Sequence, residues 1–351
     1  MNNRRQYLRW ATGFLGAVAT SPFAATAPQY EAAPWVWRER ALIGFGTTLW
    51  IKVGGESADR LEAALDEAVR EIRGIEQQMS LFNPDSALSR LNARGVLHQP
   101  DTQLLHVLKL SRQISRDSGG SFDVSMQPLW QVWSRAAATQ SLPPARDVQQ
   151  ALRWVNWRAI EVAPWAVRLN LTGMGVSLNG IAQGYAADRV RAVLKSHRIE
   201  HALIDTGETL TLGQSPALAP WALGIEDAAS KAGTPIDNLN NQVGAAGPVL
   251  VSDGRAIATS SDAHTAFSTD RRHHHIIDPA TGYSPAYWSS VTVIADTCVM
   301  ADALTKVFFM LPPSQVMARA RRWKVDVVLQ NKAGRWLASK GAQPLLTLRS
   351  A

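Results

Sequence analysis

Apolar residues recur at three- and four-residue intervals from position 58 to 79, the period of a helix with one buried face, and Ser57 stands where an N-cap belongs. Before it, RALIGFGTTLWIKV (40–53) alternates and is rich in β-formers, which predicts a strand or one arm of a hairpin. After it, LFNPDSALSRLN makes a turn in which Asp85 or Ser86 can cap the following helix. A helix over 101–118 stops at Gly119-Gly120, and short helices follow over 128–138 and 144–155. Strands near 159–178 lead into the helix of GIAQGYAADRVRAVLKSHR. ALIDTGETLTLG, WALGIEDA, VLVS, AIATSS and VTVIA read as strands, HHHIIDPATGY as a loop and MADALTKVFF as a helix, before a last α/β piece. Residues 227–248, rich in Gly, Asn and Ala, are an expected flexible excursion. Helices and strands alternate without a βαβ rhythm, so the pattern predicts one α+β domain, with room for two lobes.

The first residues change that picture. Arg4-Arg5 in a polar head, a short apolar run and small residues around Ala25-Thr26-Ala27 form the pattern of an export signal over 1–27, of twin-arginine type. Pro28 is unfavourable directly after that cut, which leaves a shifted cut or retention as an inner-membrane anchor open. The expected location is the periplasm, with residues 28–351 as the working domain. Losing the signal removes three arginines and no acid from a formal charge of +7. The mild excess left, without a basic face interleaved with aromatics, argues against nucleic acid as a partner. Cys298 is the only cysteine, so neither an internal disulfide nor a cysteine metal site is available.

Four stretches place polar residues or glycines where the pattern otherwise asks for burial: 79–92, 118–130, 176–190 and 271–285. In the third, a strand is expected to end at Asn179-Gly180 and a helix to begin, which leaves free N–H groups that can receive phosphate oxygens. In the fourth, His273, His274 and His275 suggest a metal cluster. Adjacent residues on an extended chain point to opposite sides, however, and cannot all ligate one ion.

Together, FNPDSALSRLN (82–92), GGSFDVS (119–125), SLNGIAQGY (177–185), HIIDPATG (275–282) and ADALTK (301–306), with GFGTT (44–48) before them, resemble the ApbE family of FAD:protein FMN transferases. The resemblance covers roughly residues 40–312 and implies a T-fold-like domain of mixed or antiparallel sheets with packed helices. It implies FAD as substrate, Mg²⁺ as cofactor and a partner respiratory flavoprotein that receives FMN on a threonine hydroxyl while AMP leaves. It places the flavin side near Phe45 and Phe82, and nucleotide contacts at Ser121, Phe122 and Asp123. Further FAD contacts fall at Ser177, Gln183 and Ile277. The metal falls to Gly180, Asp302 and Thr305, and catalysis to His275, Asp302 and Lys306, with His275 taking the acceptor's proton.

This chain departs from the family pattern at informative places. Ser177 replaces an acid, Gln183 a lysine, Asn179 and Glu208 each a glycine, and Lys306 a threonine. Lys306 shares a helical face with Asp302. It can point at the pyrophosphate or the metal's outer shell, snorkel to the surface, or displace the metal. A flavin carrier without turnover and a Mg²⁺-dependent FAD pyrophosphatase are the alternative functions.

Overall fold

The computed structural model describes residues 35–228, 246–263 and 265–347. The expected signal at 1–27 and most of the 227–248 excursion lie outside them. Strands β1 (Val36–Gly44) and β2 (Thr47–Gly55) pair antiparallel and turn at Phe45-Gly46, so the expected single arm is in fact most of both arms. Helix α1 (Ala58–Met79) starts where Ser57 Oγ accepts the Arg60 N–H at 3.4 Å, and it buries Leu61, Leu65, Ile72 and Ile75. Ser86, not Asp85, caps α2 (Ala87–Arg94), accepting the Ser89 N–H at 3.0 Å.

β3 (Val96–His98), α3 (Thr102–Asp117), α4 (Gln127–Ala138), α5 (Ala145–Leu152), β4 (Ile160–Ala163) and β5 (Ala166–Leu169) follow. The strands expected to run on toward 178 end at Leu169. Beyond it the backbone of Val176 is bound by a side chain: its N–H donates to Asn92 Oδ1 at 2.7 Å and its carbonyl accepts from Asn92 Nδ2 at 2.8 Å. An amide side chain thus satisfies the backbone groups a neighbouring strand would otherwise pair.

Next come α6 (Ala182–Ser196), β6 (His201–Asp205), β7 (Thr209–Leu212), β8 (Ala222–Glu226), β9 (Ala246–Val251), β10 (Ala256–Ser261) and β11 (Trp288–Ala295). The chain continues through α7 (Cys298–Phe309), α8 (Pro313–Trp323), β12 (Asp326–Asn331), β13 (Trp336–Ala338) and β14 (Leu346–Thr347). The main sheet has the order β1-β2-β6-β7-β10-β11-β12-β13, and two three-stranded sheets have the orders β14-β9-β8 and β3-β5-β4. Every described strand pair is antiparallel. α1 packs on α6, α6 on α7, and α7 on β10 and β11. The main cluster of buried side chains runs from Ile51 on β2 through these helices to Val167 on β5, and two smaller clusters lie around Ile294 and Trp133. No helix among the described residues is long and apolar enough to cross a membrane.

Two details fix α7. Its N-cap Thr297 makes no side-chain cap bond, and Asp188 of α6 does that work. Asp188 accepts the Cys298 and Val299 N–H groups at 3.0 and 2.9 Å, a charge-assisted cap at the positive end of the helix. Below this joint Gly184 lets the two helices touch: a Cβ there would lie 2.7 Å from Asp302 Cβ. Gly184→Ala is therefore expected to push α6 and α7 apart and cost about 1–3 kcal/mol of stability, measured by urea unfolding.

Candidate functional site

Helix α7 is apolar almost all round, with Cys298, Val299, Ala301, Leu304, Val307 and Phe308 buried. Into that helix the sequence sets Asp302 and, one turn on, Lys306. Asp302 is 0% exposed. A carboxylate held so deep requires donors on both oxygens, and it has them. Lys306 Nζ donates to Oδ1 at 2.5 Å, and the Gly184 N–H donates to Oδ2 at 3.1 Å. The same ammonium also donates to the Asp302 carbonyl at 3.2 Å. Thr305 Oγ1 donates to that carbonyl at 2.7 Å and lies 2.7 Å from Ser260 Oγ.

The turn between β6 and β7 brings the remaining groups. Gly207 takes φ +92°, a left-handed conformation that side chains rarely adopt, and its N–H donates to Asp205 Oδ1 at 2.9 Å. Gln183 on α6 locks onto this turn, donating from Nε2 to the Thr206 carbonyl at 2.7 Å and accepting from Thr206 Oγ1 through its own carbonyl at 2.9 Å. Glu208 follows, buried, with Oε2 accepting the Thr259 N–H at 3.2 Å. A cavity of about 80 Å³ opens beside it, lined in part by Gly207, Thr209, Ile225, Ile257 and Thr259.

Burial raises the Glu208 carboxyl well above the ordinary range, and the Asp302 charge adds to the effect. For Lys306, burial works to lower the pKa, but Asp302 and Glu208 outweigh it and the ammonium is held above its usual value. A folded-state Glu208 pKa above the unfolded value near 4.5 means that its stabilising contribution is complete below that pH and is lost as pH rises through the raised value. Glu208→Gln should thus melt at the same temperature as the parent near pH 4.5 and higher than it at pH 8. The gain is at most about 1.4 kcal/mol per pH unit crossed, read as melting temperature against pH.

The expected metal set meets a physical objection here. A dication on Asp302 Oδ1 would compete with the ammonium already there, and at about 4 Å the two would repel by roughly 8 kcal/mol at an effective dielectric of 20. A hard cation also wants six or more oxygens, while Thr305 Oγ1 is engaged on two sides. With Lys306 in position, Gly180, Asp302 and Thr305 do not fit a divalent ion.

The other expected residues fall into three further groups. Phe45, with φ +50°, donates its N–H to Glu76 Oε1 at 2.8 Å, and Phe82, 61% exposed, lies over Gly46 at the same hairpin corner. Phe122 is buried and Ser121 half-buried. Asp123 organises its own loop: Oδ1 accepts from Ser125 N at 2.8 Å and Ser125 Oγ at 2.6 Å, while Oδ2 accepts the Trp157 N–H at 3.1 Å. Burial raises this carboxyl too. Ser177 joins the loop from the other side, its N–H donating to the Val124 carbonyl at 2.8 Å.

The three histidines diverge. His273 stacks on Trp133 with ring centroids 4.8 Å apart. His274 is wholly buried, and burial lowers its pKa to about 3. His275 places Nδ1 3.3 Å from the Thr265 carbonyl. A proton on Nδ1 there leaves the basic lone pair on Nε2. Ile277 packs with Trp133 and Leu129 in a small cluster of its own.

Glu208, Ser260, Gly184 and Asp188 were not anticipated as parts of the site. The signal for Glu208 is a charged residue inside ALIDTGETLTLG, a stretch that otherwise reads as strand, but its partners Thr259 and Lys306 lie about 50 and 100 positions away.

Residues 45–329 match the model of the ApbE family. Among curated relatives, the FAD:protein FMN transferase of Treponema pallidum is 29% identical over 293 residues, 78% of each chain. That of Klebsiella pneumoniae is 27% identical over 281 residues, 77% of this chain and 83% of its own. Among solved structures, the ApbE protein of Thermotoga maritima superposes with a TM-score of 0.76 at 22% identity, and the flavin transferase ApbE of Vibrio cholerae with 0.74 at 23%. Each covers 89% of this chain and all of the other, and both share its fold.

Proposed function

Since the chain belongs to the ApbE family, we propose that it is an FAD:protein FMN transferase, which cleaves the FAD pyrophosphate and leaves FMN on a partner protein. The observation that carries this reading for these residues is the buried Asp302–Lys306 pair beside Gly180, at the start of a helix with no side-chain cap. A fixed positive charge held in place by a carboxylate suits a diphosphate.

In the reaction, a hydroxyl oxygen of the acceptor attacks the phosphorus on the FMN side. The bond from that phosphorus to the bridging oxygen breaks, AMP leaves with the bridging oxygen, and the hydroxyl proton passes to His275 Nε2. Lys306 offsets charge on the leaving phosphate, the kind of preorganised stabilisation that dominates phosphoryl transfer. The hairpin corner of Phe45 and Phe82 offers an aromatic surface for the isoalloxazine. The resemblance also implies magnesium. The Asp302–Lys306 pair argues against an ion on that carboxylate, so no step here runs through one.

Threonine on a membrane-bound respiratory flavoprotein remains the acceptor class, and the 1–27 pattern supports a periplasmic setting. Purified protein mixed with FAD and such an acceptor domain should give a protein band fluorescent under ultraviolet light, together with AMP. FMN and AMP without a labelled band would mark a pyrophosphatase, and a stable yellow complex without products a carrier.

A further inference from the structure

Lys306 leaves α7 among apolar neighbours and passes so near the start of α6 that a Cβ on Gly180 would lie 3.1 Å from its Cε. It ends on Asp302, whose second oxygen is already bound by Gly184. A lysine carries three N–H donors. Two are directed at the Asp302 carboxylate and carbonyl, and the third has no partner among the described residues. The Lys306 side chain is 22% exposed while the Asp302 side chain is sealed, so the lysine lies at the edge of the buried cluster. The methylenes of Lys306 run past Gly180, just before α6 begins without a side-chain cap. A buried carboxylate bound on both oxygens cannot swing out to take an ion without leaving the ammonium and the Gly184 N–H unpaired.

Resting on the flavin-transferase reading, we propose that Lys306 is the built-in cation of this site. Its ammonium receives the diphosphate of FAD in place of a divalent metal, and Asp302 is the residue that positions it. Lysine serves well as a point charge for phosphate. Here its direction is set by the carboxylate behind it, and Gly180 leaves it room to pass. Binding of the dinucleotide therefore needs no added metal.

The test is FAD binding to the purified chain, followed by flavin fluorescence quenching, in EDTA and in millimolar magnesium. The dissociation constant of the unaltered protein should agree within about twofold between the two media. Lys306→Thr removes the ammonium and frees Asp302 Oδ1. It should weaken FAD binding in EDTA about 10–100-fold, recover much of this with magnesium, and acquire a magnesium-dependent rise in melting temperature without FAD. Tightening of tenfold or more by magnesium in the unaltered protein overturns the proposal and leaves the flavin reading standing. So does a magnesium-dependent rise in its melting temperature equal to that of the variant. Binding of FAD in neither medium overturns the flavin reading itself, and the proposal with it.

Discussion

Lys306→Ala is expected to lower FMN transfer by about a thousandfold or more, the scale of losing a preorganised charge aimed at a transferring phosphoryl group. It should also unfold more easily, because Asp302 is left fully buried with Oδ1 unpaired. Removing one partner of a buried ion pair typically costs about 3–5 kcal/mol. The two losses separate in a double variant. Lys306→Met with Asp302→Asn removes both charges and keeps the side-chain volumes close, a replacement that is often neutral for stability. Its urea midpoint should return toward that of the parent while transfer stays lost. If transfer returned together with stability, the ammonium would be only a structural partner of the carboxylate.

His275→Gln is expected to lower the transfer rate about 10²–10⁴-fold, the usual contribution of a placed general base. Glutamine can still present a donor to the Thr265 carbonyl, which lies 3.3 Å from Nδ1, but it offers no basic nitrogen. FAD binding should therefore change little. The informative readout is the pH profile. With His275 as the base, kcat of the parent should show an acid limb, and in the variant that limb should vanish. A variant that keeps the acid limb would move the base elsewhere.

The family resemblance singles out these two residues as candidates, and much of the fold is legible in the sequence because its signals are local. The 3.6-residue period of α1 and the Ser57 cap lie within one stretch of chain, and the structure keeps both. The stretch from 170 to 180 was not legible. Its β-like pattern invites a strand, yet Asn92, some eighty positions away, satisfies the Val176 backbone from its side chain. Asp123 shows the same limit. The resemblance assigns it to a nucleotide, and the sequence does not show that its oxygens accept from Ser125 and Trp157, the second contact spanning 34 positions.

The pairing of Asp302 with Lys306 could be read from helical spacing, because residues four apart share a face. That the pair closes the carboxylate to an ion could not. It depends on Gly184 reaching the other oxygen from α6, an approach set by the Asp188 cap and by the missing Cβ. Glu208 likewise joins the cluster only because β7 brings it beside β10, where it meets Thr259.

The most direct measurement is the structure of the complex with FAD, determined once in EDTA and once with magnesium. In both, the account predicts the FAD diphosphate within hydrogen-bonding distance of Lys306 Nζ, with Asp302 still behind the ammonium. A metal ion seated between Asp302 and the diphosphate, with the lysine turned aside, would contradict it, as would a diphosphate bound away from α7.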